Sequence, residues 1–261
     1  MQSSSGLPRW LRVFGWIAVV LFALPAVSLL AQAPWDEFLT LATDAVALDA
    51  LRLSIVVSVT AAGIAGVLGL PLAIMLTSMS SKWATTIRAV ILVPLVLPPV
   101  ATGVGLLAAF GQQGVVGQAT GVGLANTTVG AILASTIVST PFFVLSVEGA
   151  LRTADTEYRE IAATLGASPG RRLLHVTLPL VKRATVAGLI LAWARSLGEF
   201  GATITFAGNI QGVTRTLPLQ IALSLDQNRD QALVLSVIMV LISLVVLIAL
   251  RREWADSLSN R

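Results

Sequence analysis

The chain has 261 residues, 56% hydrophobic and 11% charged, with a formal net charge of +4. A soluble domain of this length carries about 25% charged residues, so this composition cannot supply a solvated surface, and an all-α, polytopic membrane protein forming a single domain (1–261) is expected. Cysteine is absent, which excludes disulfides, thiolate metal sites and cysteine nucleophiles. No basic arm interleaved with aromatics is present, so nucleic acid is not an expected partner.

A bilayer core about 30 Å thick needs about 20 apolar residues in helix. Six stretches meet that length, at about 11–31, 51–77, 89–110, 127–149, 184–207 and 232–250. The first, flanked by Arg9 and Arg12, is longer than a signal-peptide core and ends at no clear cleavage site, so a retained span is expected. The second concentrates Ala61, Ala62, Gly63, Ala65, Gly66 and Gly69. Such small residues let helix backbones approach closely. The third contains Leu97-Pro98-Pro99. Each proline removes a backbone donor and kinks its helix, so this step should face protein or a pathway and not lipid. No charge lies between Arg88 and Glu148, an interval that must hold two spans and a turn. The segment from Gly111 to Gly123, with five glycines, supplies the turn.

After the fourth stretch comes one long polar loop, 152–183. Ala, Leu, Glu and Arg around Glu157, Glu160 and Ala162 favour helix. Gly166 supplies the permissive backbone that ends it. Ser168 and Pro169 then suit the cap and first position of a second helix, and Leu178-Pro179 closes the segment. The product is helix, tight turn, helix, outside the membrane. His175, the only histidine, falls in this loop and reads as a surface or interface residue.

The fifth stretch carries Arg195 and Glu199, four residues apart and so on one helical face. Charges at membrane depth are costly and mark functional sites by default. Two readings stand: a structural lock between helices, or a gate lining a path. Thr102, Gly103, Thr203 and Thr205 are candidates to line that path. Among the 17 basic residues, 13 fall in the N-terminus, the segment around Lys82, the 152–183 loop and the C-terminal tail. By the positive-inside rule these segments, and both termini, are cytoplasmic. Six spans, an even number, agree with that. Metal-ligating clusters, catalytic constellations and a phosphate-cradling Gly-x-x-x-x-Gly-Lys loop are absent from the sequence. Any ATP would therefore be handled by another chain.

Glu160, Ala162, Gly166, Val176, Leu178 and Pro179 reproduce the spacing Glu-x-Ala, three residues, Gly, nine residues, aliphatic, one residue, Leu-Pro. This loop resembles that of the permease subunits of bacterial and archaeal binding-protein-dependent ATP-driven importers. The resemblance implies the type I ABC importer permease fold and a location in the cytoplasmic membrane. It implies two ATPase subunits and an external binding protein, and because a single six-span subunit cannot readily enclose a path, a symmetric pair of permeases is expected. It also implies that the short helix carrying Glu157, Glu160 and Ala162 docks on the ATPase and transmits its closure. The segments Arg195–Asn209, Gly212–Leu219 and Val96–Gly103 are similar to those of molybdate permeases. They imply import of an oxyanion, molybdate first. Sulfate and thiosulfate permeases share the Gly-Glu-Phe-Gly core at 198–201, and these and tungstate permeases are the alternatives within the family. Gln112-Gln113 departs from the basic residues expected at that turn in many relatives. The rival from another class is an ion-coupled secondary transporter, with Arg195 and Glu199 coupling ions to substrate.

Overall fold

The structure is a computed structural model. It describes residues 8–154 and 157–259, with side chains described except at 157, 159, 160, 163 and 249–259. The described residues form helices and connecting loops, without strands. In chain order they are α1 (Arg9–Gln32), α2 (Phe38–Ala42), α3 (Ala45–Ser78), α4 (Ser81–Val96), α5 (Pro99–Phe110), α6 (Val115–Thr120), α7 (Thr128–Thr153), α8 (Glu157–Thr164), α9 (Pro169–Arg172), α10 (Leu178–Leu197), α11 (Gly201–Phe206), α12 (Leu217–Gln227) and α13 (Arg229–Ser259). A π-helical turn, Leu173–Thr177, joins α9 to α10.

Helices α3, α7 and α10 pack together as the centre. Between helices in lipid there is little hydrophobic drive, so close van der Waals packing of small residues has to hold them. The sequence provides it on α3. A Cβ added at Gly69 would lie 2.6 Å from Cδ1 of Phe143, and one at Gly66 would lie 2.7 Å from Cδ2 of Leu189. Ala61 and Ala65 are fully buried beside them. Gly63, grouped with these in the sequence, has no neighbour within 4 Å and lies outside the packed face. Trp193 on α10 donates its indole N–H to the Ser58 hydroxyl on α3 at 3.0 Å, which satisfies both polar groups inside the bundle. Helix α1 buries none of its residues and has α13 as its neighbour.

Six helical stretches are long and apolar enough to cross a membrane: Arg9–Gln32, Ala45–Ser78, Pro99–Thr120, Thr128–Thr153, Pro169–Leu197 and Arg229–Ile248. The count agrees with the sequence reading, but three boundaries differ. The second stretch starts at Ala45, where the Asp44 side chain caps α3 by accepting from the Val46 N–H at 3.1 Å. The third, expected at 89–110, is broken into α4 and α5 at Leu97-Pro98. A proline forces the residue before it out of the α region, and Leu97 is accordingly extended with ψ 142°. The fifth, expected at 184–207, runs from Pro169 to Leu197 and then breaks, leaving α11 as a separate helix. Leu178-Pro179 therefore does not end the segment. A widened π turn, Leu173–Thr177, directly precedes Leu178-Pro179, and Pro179 falls in the first turn of α10, where a missing backbone donor is tolerated. The turn from Gly111 to Gly123 holds the short helix α6.

Candidate coupling and gating site

The polar loop folds as a closed hairpin of two helices. The N–H of Leu165 donates to the carbonyl of Ile161, and the N–H of Ala167 to that of Ala162, both at 3.0 Å. Between them Gly166 has φ +77°. This is the left-handed closure that glycine permits and that costs a side-chain-bearing residue about 1–2 kcal/mol. A Cβ at Gly166 would meet nothing within 4 Å, so the demand there is conformational and not one of space. Ser168 then accepts from the Arg171 N–H at 3.4 Å, and Pro169 opens α9, as the sequence suggested. The backbones of Glu157 and Glu160 lie in α8, while their side chains fall outside the described residues. Tyr158, Ile161, Leu165 and Leu174 present exposed apolar side chains on the hairpin.

Arg195 and Glu199 form an ion pair, Nη1 to Oε2 at 2.6 Å. They do not share one continuous helix, however: α10 ends at Leu197, and Glu199 sits in the break before α11. Its second carboxylate oxygen accepts from the Ala202 N–H at 2.8 Å, in the first turn of α11. The carboxylate thus bridges the break, holding Arg195 behind and the start of the next helix ahead. The Glu199 side chain is 2% exposed and that of Arg195 27%, so this charge is removed from water and compensated on both oxygens.

The next helix carries the other candidates. Thr102 and Gly103 lie on α5 and Thr203 and Thr205 on α11, two helices that pack on each other, with Gly103 facing Thr205 and Ala202. A Cβ at Gly103 would lie 2.6 Å from that of Thr205, and one at Gly201 would lie 2.6 Å from Cβ of Pro99. Thr205 donates to the Gly201 carbonyl at 2.8 Å. The hydroxyls of Thr102, Thr203 and Ser196 are buried without hydrogen-bond partners among the described residues. Beyond α11 the loop is tied by Arg215, which donates to the Asn209 side chain at 2.8 Å and its carbonyl at 3.3 Å.

Sequence reading missed a second charged cluster. Arg88 on α4 pairs with Glu148 near the end of α7, and Arg152 donates to the same carboxylate at 2.9 and 3.0 Å. Glu148 is 3% exposed. The spacing of Glu148 and Arg152, four apart on a helix, was a readable signal. Their meeting with Arg88, 60 residues away, was not.

The described residues thus combine a helical bundle with six stretches long and apolar enough to cross a membrane, a hairpin closed at Gly166 and a charge-braced helix break. The description "Binding-protein-dependent transport system inner membrane component" matches residues 65–257, and the chain belongs to that family. It is 43% identical over 251 residues to the molybdenum transport system permease protein ModB of Mycobacterium tuberculosis, covering 95% of each chain. It is 33% identical over 244 residues to the probable transport system permease protein NifC of Clostridium pasteurianum, covering 92% of this chain and 85% of that one. One chain in the crystal structure of a bacterial alginate ABC transporter, in complex with an alginate pentasaccharide-bound periplasmic protein, shares the fold. Its TM-score is 0.71 at 18% identity, with 92% of both chains covered.

Proposed function

We propose that this chain is the membrane permease of an ATP-driven molybdate importer. It works as a symmetric pair with two ATP-binding-cassette subunits and an external oxyanion-binding protein, with both termini cytoplasmic. The observation that carries the reading is the 43% identity to molybdenum transport permeases, which extends over 95% of both chains and so leaves little of either outside the match. ATP is used by the partner subunits; this chain supplies the path and the levers.

The helix order gives the levers a physical form. Helix α8 hangs on Gly166 beside a helical rod, Pro169–Leu197, that runs unbroken for 29 residues, or about 40 Å at 1.5 Å per residue. A rod of that length carries a displacement of α8 to Arg195. From there the Glu199 brace passes it to α11, and the Gly103–Thr205 contact passes it to α5. In this reading Arg195 and Glu199 belong to the gate because they tie its moving parts, and Thr102, Gly103, Thr203 and Thr205 form the seam that opens.

Gentle detergent purification of the tagged chain, followed by mass spectrometry, tests the partners. An ATP-binding-cassette subunit recovered in near-equal amount is expected. A chain that purifies alone and still moves molybdate in vesicles without ATP would overturn the importer and favour the ion-coupled transporter.

A further inference from the structure

The Arg88–Glu148–Arg152 cluster borders a cavity that the transport reading does not use. It has a volume of about 410 Å³ and lies between the end of α3, the first turns of α4 and the end of α7, lined by Thr77, Ser81, Thr85, Arg88, Leu151 and Arg152 among others. Two guanidinium groups share one carboxylate, so the cluster keeps a net positive charge. Glu148 engages Nε and Nη2 of both arginines. The Nη1 of each guanidinium makes no hydrogen bond among the described residues. Arg88 is partly exposed and Arg152 more than half exposed, so both reach the cavity while the carboxylate is shut behind them. Ser80, the cap residue of α4, makes no side-chain bond to the helix, and Ser81 of its first turn lines the cavity.

We propose that this cavity is a binding site for a tetrahedral oxyanion, with the phosphate of an anionic lipid headgroup as its occupant. Planar guanidinium groups suit oxyanions because their fixed N–H directions match two oxygens at once. Depth favours the lipid as source. Lys82 and Trp83, exposed on the first turn of α4, are residue types that anchor a helix at headgroup level. The site does not depend on which cargo the permease moves.

The test uses the full-length protein in mixed micelles. Native mass spectrometry would compare retention of phosphatidylglycerol and phosphatidylcholine, and equilibrium dialysis would measure radiolabelled inorganic phosphate and molybdate. Arg152→Gln is the informative variant, since it leaves the Arg88–Glu148 pair in place, and an unchanged melting temperature verifies its fold. Phosphatidylglycerol should be retained over phosphatidylcholine, and Arg152→Gln should weaken it about tenfold, the effect of one charge-assisted contact. Arg12→Gln, a basic change on α1, should leave retention unchanged. Saturable phosphate or molybdate binding that requires Arg152, without lipid preference, would support the oxyanion pocket with a free anion as its source. Phosphatidylglycerol retention that Arg152→Gln leaves unchanged, with no Arg152-dependent anion binding, would overturn the proposal, as would the absence of both.

Discussion

Among the described residues the two buried carboxylates, Glu148 and Glu199, are both held by arginine, and Glu199 shows what such pairing does. Breaking a buried ion pair by removing one partner costs about 3–5 kcal/mol, whereas replacing both by uncharged groups costs far less. Arg195→Leu leaves the Glu199 carboxylate with one N–H partner and almost no water, and should lower the melting temperature of the purified protein sharply. The double variant Arg195→Leu/Glu199→Gln keeps an amide oxygen for the Ala202 N–H and removes the stranded charge, so it should recover at least half of that loss. Equal losses in the single and double variants would contradict the brace. At this scale the sequence was legible where partners are four residues apart. Arg195 and Glu199 could be paired from spacing alone, but the Ala202 bond could not, because it exists only once the helix breaks between them. Arg88 and Glu148 belong to different helices, and no local pattern joins them.

The helices themselves divide in the same way. Long apolar runs such as α1, α7 and α13 were readable because a bilayer fixes their length. The breaks were harder. Leu97-Pro98-Pro99 announced a kink, yet the sequence alone could not say that the kink would be a full interruption between α4 and α5. The break at Gly198–Phe200 has no proline and depends on tertiary contacts of α11. Those contacts make a paired prediction. Gly103→Ala forces a methyl to 2.6 Å from Cβ of Thr205 and 3.0 Å from the Ala202 carbonyl. Overpacking of this kind costs about 1–3 kcal/mol. Gly105→Ala, two residues on in the same helix with nothing within 4 Å, should be neutral or slightly stabilising, since alanine is favoured over glycine in helix by about 1 kcal/mol. Thermal unfolding of the two variants checks this. A tolerated Gly103→Ala would mean that α5 and α11 do not close on each other as described.

Across the whole molecule, the proposed coupling would run from the hairpin closed at Gly166 to the packed α5–α11 contact. The hairpin was the most legible functional element, because its glycine and its cap act within a few residues of each other. The rod behind it was not, since Pro179 reads locally as a stop, whereas the helix continues through the π turn Leu173–Thr177 into α10. Molybdate uptake into proteoliposomes containing the complete transporter decides whether α8 drives the permease through Gly166. With ATP supplied to the ATPase side, the native protein should accumulate molybdate and Gly166→Pro should not, although the variant inserts and assembles. Proline fixes φ near −65° and cannot adopt the +77° of Gly166. Uptake by Gly166→Pro at the native rate, or uptake that continues without ATP, would contradict the account.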